Sequence, residues 1–253
     1  MSFLTEVYAV AWSDIRFMRH NVRNILISSL MLPILYLLAF GYGLKAGDVE
    51  IEGQMIPYLD FVIPGIIALT SLSPSFSSTS TRTNVQRLYY RSFDEMMMCP
   101  LSNSAIIIGK TALGMCRSLL SCSLMFIIGY VLEPSYMNLT PLLVVSVLLA
   151  CFTFSLLGET AALMVKSHQA MSTFSSLVIT PMTFLCGTFF SVAALPEVLQ
   201  GLLYALPLTE ASVCIRAAAL DVYAFPYWAL GVLALFALAF YLIDLYLIKN
   251  RKI

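Results

Sequence analysis

Charge is scarce in this sequence: of 253 residues only 11% are Asp, Glu, Lys or Arg, and fourteen bases balance fourteen acids to a net charge of zero. Without an excess of either sign there is no global field to mark nucleic acid as a partner, and none is expected. Histidine is rarer still, with His20 and His168 standing alone near span ends, and isolated imidazoles do not make a metal site. Six cysteines are scattered without a C-x-x-C pair, five of them in or beside apolar runs, where a thiol acts as a small buried hydrophobe. No G-x-S-G, H-E-x-x-H or Asp-rich metal signature occurs, so no nucleophile and base can be named and no catalytic residue, cofactor or metal is expected in this chain. A cleavable signal is not expected either, because partly charged residues precede the first apolar run.

One fragment imitates an ATPase. Gly109, Lys110 and Thr111 are in the order that ends a phosphate-binding loop, but Ser104 stands where that loop needs its first glycine. The intervening Ile106, Ile107 and Ile108 resist the positive φ angles of such a loop. The fragment needs another explanation.

Hydrophobic residues, in contrast, make up 60% of the chain, and the mean hydropathy is +0.87. Runs long enough to cross about 30 Å of hydrocarbon lie at about 25–44, 59–80, 111–132, 141–165, 172–193 and 225–248. The expectation is an all-α integral membrane protein, one domain over 1–253 with six transmembrane helices. Basic residues alternate with the spans: twelve of the fourteen fall on one side, leaving Lys45 and Arg216 on the other. The positive-inside rule then puts both termini in the cytoplasm of a multi-pass cell-membrane (inner-membrane) protein.

Polar residues inside spans are candidates for function. The end of span 2, TSLSPSFSSTST, carries hydroxyls that either bond between helices or line a wet cavity. Ser71, Ser75 and Phe76 there, with Phe189 and Phe190 at the end of span 5, are the candidate pathway lining. Glu159 and Asp244 lie within spans near the cytoplasmic end, at the depth of Arg117. A structural ion pair of Arg117 with either acid is favoured over a functional carboxylate.

Before span 1, Leu4, Val7, Tyr8, Ala11, Ile15 and Met18 recur at helical spacing, with Glu6, Asp14, Arg16 and Arg19 on other faces. Residues 1–24 therefore read as an amphipathic interfacial helix lying on membrane lipid of the inner leaflet, with packing on the bundle's cytosolic surface as the alternative. Between spans 2 and 3, Phe93, Met96 and Met97 fall at i, i+3, i+4, and Pro100 stops the helix that carries them. A two-turn cytosolic helix with such a face beside Asp94 and Glu95 reads as a docking element for another protein. After span 5, Leu195 to Leu208 is apolar at helical spacing but too short to cross, so a re-entrant extracytoplasmic helical hairpin is expected.

These stretches resemble the membrane subunits of ABC-2 type exporters. Ser92-Phe93-Asp94-Glu95 through Pro100-Leu101-Ser102, followed by Gly109-Lys110, is similar to the family's acidic, P-[LIV]-S and G-K sequence after span 2. Pro64-Gly65, Pro181, Gly187, Phe189, Phe190, Leu195, Pro196, Pro207, Leu208, Thr209 and Arg216 match further motifs, while Ser191 and Leu206 replace a frequent proline and asparagine. On this resemblance the chain is a homodimeric permease coupled to a separate ABC ATP-binding subunit, which binds the ATP and Mg. That subunit meets Arg91, Phe93, Asp94, Glu95, Met96, Met97 and Pro100, and the pathway lies along spans 1, 2 and 5. The resemblance also sets Lys110 at the inner face, against anionic headgroups. It comes nearest to nodulation-factor and daunorubicin permeases, which implies amphipathic cargo: a lipid-linked glycan, lipid or drug. The rival is an ion-coupled secondary transporter using Glu159 and Asp244.

Overall fold

The computed structural model describes residues 2–43, 49–51, 54–132, 138–189, 196–220 and 224–250. Phe190 and Leu195 lie outside these residues. Helix α1 (Phe3–His20) is followed by α2 (Val22–Tyr36), which continues as a π-helical stretch, Leu37–Gly43. Two short antiparallel strands, β1 (Val49–Ile51) and β2 (Gln54–Ile56), pair Val49 with Ile56. Then come α3 (Tyr58–Leu88), α4 (Ser92–Met98), α5 (Asn103–Leu132) and α6 (Pro141–Met164). The remainder is α7 (His168–Phe174), a π-helical turn Ser175–Ile179, α8 (Thr180–Leu185), α9 (Glu197–Tyr204), α10 (Pro207–Leu220) and α11 (Tyr227–Lys249).

Five of the described helical segments are long and apolar enough to cross a membrane: Val22–Phe40, α3, α5, α6 and α11. The expected fifth span, 172–193, differs. It is helical from His168 to Leu185 in three pieces, with the π-turn just before Pro181, and the α-helix stops at Cys186. A proline cannot donate to the preceding turn, and a π-turn is one way the ladder absorbs that loss.

Helix α3 is the axis of the bundle. Its most apolar window is 89% buried, against 22% for α11, and it packs on α5, α6 and α10. It also runs eight residues beyond the expected span end at 80, burying Thr83, Asn84, Gln86 and Arg87. Local chemistry sets several ends. The Thr140 hydroxyl accepts the Leu143 N–H with Pro141 at the first helical position of α6, and Ser167 does the same for α7 through the Ala170 N–H. Arg87 donates to the carbonyls of Ala162, Leu163 and Val165, placing a cation on the free acceptors at the C-terminus of α6.

The stretch after span 5 also differs in its bounds from the expected Leu195–Leu208 element. Pro196 caps α9, and Pro207 starts a second helix, α10, almost wholly buried through Leu220. The Thr209 hydroxyl donates to the Leu203 carbonyl at 2.6 Å and fixes the turn between them. The sequence matches of the first subsection meet here. Gly65 of α3 faces the Thr188 backbone so closely that an added Cβ would lie 2.3 Å from the Thr188 carbonyl oxygen. Gly187 adopts φ 71, a left-handed conformation, and its carbonyl accepts from Arg216 at 2.9 Å. Arg216 lies 3.9 Å over the Phe61 ring. Because the neighbour at Gly65 is backbone, Gly65→Ala is expected to destabilise by roughly 1–3 kcal/mol. Gly231→Ala, with nothing within 4 Å, should be neutral or gain up to about 1 kcal/mol. Thermal melting in detergent compares the two.

Candidate functional site

Three polar regions stand out in the apolar bundle. The first explains the GKT fragment. Gly109 lies under α1, where a Cβ would fall 2.7 Å from the Val10 side chain and 3.1 Å from the Val7 carbonyl; glycine lets the two helices cross. Lys110 is 1% exposed. Its ammonium donates to Asp14 Oδ2 at 3.0 Å and to Gln86 Oε1 at 2.6 Å. Gln86 Nε2 and Arg82 Nε donate to Asp14 Oδ1 at 3.2 and 2.8 Å. Lys110 therefore does not meet headgroups: the chain supplies a carboxylate, and a buried cation needs one. Helix α1 packs on the bundle by a different set of residues. Val10, Ala11 and Asp14 are buried, whereas Leu4, Tyr8, Trp12 and Phe17 are exposed. One face of α1 packs on the bundle, and the other offers apolar side chains outward.

The N-terminal end of α1 is fastened separately. Glu6 accepts from the Ser102 backbone N–H at 3.0 Å and the Ser102 hydroxyl at 2.7 Å. The backbone N–H first, then the hydroxyl, holds the Glu6 carboxyl below its usual 4.5. A depressed carboxyl stabilises the fold above its unfolded value and loses that effect as pH falls through the folded one. The contact is expected to be constant at neutral pH and to weaken below 4.5, which amide exchange of α1 over a pH series measures.

The second region is α4. Arg91 precedes it at φ 55, a left-handed turn, strain that the flanking helices hold in place, and Cys99 ends it in extended conformation before Pro100. Phe93, read from the sequence as a protruding contact, is 0% exposed. It packs with Ile106, Ile107, Leu156 and Ile248, and Met96 and Met97 lie against the same cluster. The i, i+3, i+4 face turns inward because the apolar ends of α5, α6 and α11 are already there to receive it. Arg91, Glu95, Met98, Cys99 and Pro100 are exposed, and Asp94 is half-buried. A groove of about 420 Å³ runs between α4 and α1, lined by Val10, Ser13, Glu95, Met96 and Leu101 among others.

The third region is a cleft of about 310 Å³ between α2, α3 and the helical segment from Ser175 to Phe184. Its hydroxyls are Ser28, Ser29, Thr70, Ser73, Ser77, Ser175, Thr180 and Thr183; its apolar wall includes Leu32, Pro33, Tyr36, Phe76 and Phe184. Of the residues expected to line a pathway, Phe76 does. Ser71 and Ser75 instead donate to the Ala68 and Ser71 carbonyls of their own helix and are buried, while their neighbours Ser73 and Ser77 face the cleft. Phe189 stacks on Phe40 with ring centroids 4.1 Å apart, and its carbonyl accepts from Tyr58.

Arg117 enters this cleft, so its expected pairing is corrected. It donates to Ser29, Ser78 and Ser28 at 2.8, 3.1 and 3.0 Å and makes no ion pair with Glu159 or Asp244. Glu159 takes the Thr83 hydroxyl at 2.6 Å; Asp244, fully buried on α11, is its acidic neighbour, with the Thr160 side chain beside its carboxyl. Residues at one depth had seemed partners, but Arg117 turns to serines of α2 and α3 while Glu159 turns to Thr83 and Asp244.

Five helices long and apolar enough to cross a membrane, with a hydroxyl-lined cleft among them and a short anchored helix beside a second groove, are the architecture of a membrane permease. The sequence matches the ABC-2 type transporter family over residues 5–220, and the chain belongs to that family. It is thus a membrane component of an ABC transporter. It is 27% identical to the inner membrane transport permease YadH of Escherichia coli (strain K12), over 92% of each chain. Nodulation protein J of Sinorhizobium fredii is 26% identical over 78% of this chain and 74% of its own. The Rhizobium leguminosarum bv. viciae protein of the same name is 25% identical over 87% of this chain and 84% of its own.

Proposed function

We propose that the chain is the membrane-spanning half of an ATP-driven exporter of the inner membrane, working as a homodimer with a separate ATP-binding subunit that holds ATP and Mg. Both termini face the cytoplasm, the segment His168–Leu185 forms the sixth crossing, and α9 with α10 forms the extracytoplasmic hairpin. The observation that carries this reading is α4: a two-turn helix rooted by Phe93, with Glu95, Met98 and Pro100 left free beside a groove. A rooted helix with a free edge passes an external push to the spans, and closure of the ATPases shifts the population between inward- and outward-open states. The cargo, an amphipathic molecule, crosses along spans 1, 2 and 5, which is where the hydroxyl-rich cleft lies. A lipid, a lipid-linked glycan or a drug fits such walls.

The test is capture of the ATP-binding subunit that co-purifies with the wild-type chain. Glu95→Arg with Met98→Asp is expected to lower its recovery by at least about tenfold, as loss of a central contact does, without lowering the melting temperature. Undiminished recovery contradicts the docking role.

The neighbouring buried acids Glu159 and Asp244 favour a second reading, ion-coupled transport. Under it, export stops when ion gradients are dissipated and persists when ATP is depleted; the ATP-driven reading expects the reverse.

A further inference from the structure

The hydroxyl-rich cleft has a neighbour across Arg117. A second cleft of about 380 Å³, lined by Phe17, Ile25, Thr81, Arg82, Val85 and Tyr90 among others, shares Ser77 and Arg117 with the first. It lies toward the cytosolic end of α3, beside the end of α1. The two volumes adjoin at Ser77 and Arg117, and together they outline a route toward the bundle interior with Arg117 at the junction.

The cations on this route are not equivalent. Arg82 is neutralised by Asp14 at 2.8 Å and lies 4.6 Å over the Phe17 ring. Arg117 has serine hydroxyls as its hydrogen-bond acceptors, and both ion pairs among the described residues are made by Asp14. Serines fix where the guanidinium points but do not cancel its charge. Three of its five N–H donors are taken by those hydroxyls, leaving two for a ligand. A half-buried cation beside an apolar wall attracts an anion far more strongly than one in water. Ser73 and Ser77 add hydroxyls facing the same space, while Pro33, Tyr36 and Phe184 offer an apolar wall on its far side.

We infer that this junction is a binding site for an amphiphile with a single anionic, oxygen-rich headgroup, a phosphate, sulfate or carboxylate. The head is held by Arg117 and the serines, and the tail lies along the Pro33, Tyr36 and Phe184 wall. This deepens the export reading by naming the charge of the cargo. A cationic amphiphile is repelled by the guanidinium, and a neutral one leaves the charge uncompensated.

The experiment measures equilibrium binding to the full chain in discs of phosphatidylcholine, without the ATP-binding subunit. A failed ATPase capture therefore leaves this result standing, and the converse holds too. The probes are radiolabelled dodecyl phosphate, dodecyl maltoside, dodecyltrimethylammonium and inorganic phosphate. Dodecyl phosphate is expected to bind at least about tenfold more tightly than the neutral and cationic chains, the scale of one charge-assisted contact, and inorganic phosphate alone should not displace it. Arg117→Gln should bring the anionic-to-neutral ratio close to one, and Arg117→Lys should retain part of it. Ser77→Asp, which removes none of the serines that hold Arg117 and adds a compensating carboxylate, should also abolish the preference and covers the case in which Arg117→Gln fails to fold. An equal affinity of the wild type for the three amphiphiles overturns the inference, as does a preference that survives both Arg117→Gln and Ser77→Asp. Displacement by inorganic phosphate at the same concentration as dodecyl phosphate overturns the assignment of an amphiphile and leaves a free-anion site.

Discussion

Asp14→Ala is expected to cost about 3–5 kcal/mol, the penalty of stripping the counter-charge from a buried ion. Lys110 is 1% exposed and would keep Gln86 as its remaining partner, and the same change frees Arg82. The loss should appear as a lower thermal midpoint in detergent and as new proteolytic cleavage within α1, because Asp14 ties α1 to both α3 and α5. Removing the cation as well tests the cause. Asp14→Ala with Lys110→Met should recover most of the stability, since two apolar groups replace two charges. If the double variant melts no higher than Asp14→Ala alone, charge burial is not what the network manages.

Phe93→Ala is expected to cost about 3–5 kcal/mol as a large-to-small change in a fully buried site, and much of that cost should fall on α4 itself. Seven residues make a helix too short to hold without its packing. Capture of the ATP-binding subunit should therefore fall as far as in the Glu95 and Met98 variant, although the ring lies on the opposite side from the free edge. The melting temperature separates the two: it falls for Phe93→Ala and stays for the exposed pair. Phe93→Leu, which keeps most of the volume, should retain capture. Full capture by Phe93→Ala would mean that α4 holds its place without its anchor.

How far the sequence reached is clearest at α1 and at Arg117. Apolar runs placed five of the six expected spans within a few residues at their hydrophobic ends, because hydrocarbon thickness fixes their length. They missed the continuations of α3 past 80 and of α5 before 111, where Thr83, Gln86 and Lys110 are buried despite being polar. On α1 the sequence showed the outward apolar residues but not the polar one that packs on the bundle. Leu4, Tyr8 and Trp12 point outward and Asp14 inward, because Asp14 pairs with Lys110 and Arg82 of the bundle. The signal was present: Asp14 lies one turn after Val10 and two after Val7, the face over Gly109. Arg117 had the depth of Glu159 and Asp244, but sequence gives height along a helix more readily than direction around it. Gly65 and Gly187 were legible as motif residues; that they touch the same loop, Cys186 to Phe189, needed the fold.

The double fastening of α1 limits where motion can occur. Glu6 grips Ser102 just beyond α4, Asp14 grips α3 and α5 two turns further on, and Gly109 admits the helix between those points. A lever clamped at two places cannot pivot between them, so α1, the Ser102 corner and the near end of α5 must travel as a single block. Any stroke delivered to that block is then passed on at the break at Asn21 between α1 and α2, beside the cleft that Phe17 and Ile25 line on its way to Arg117.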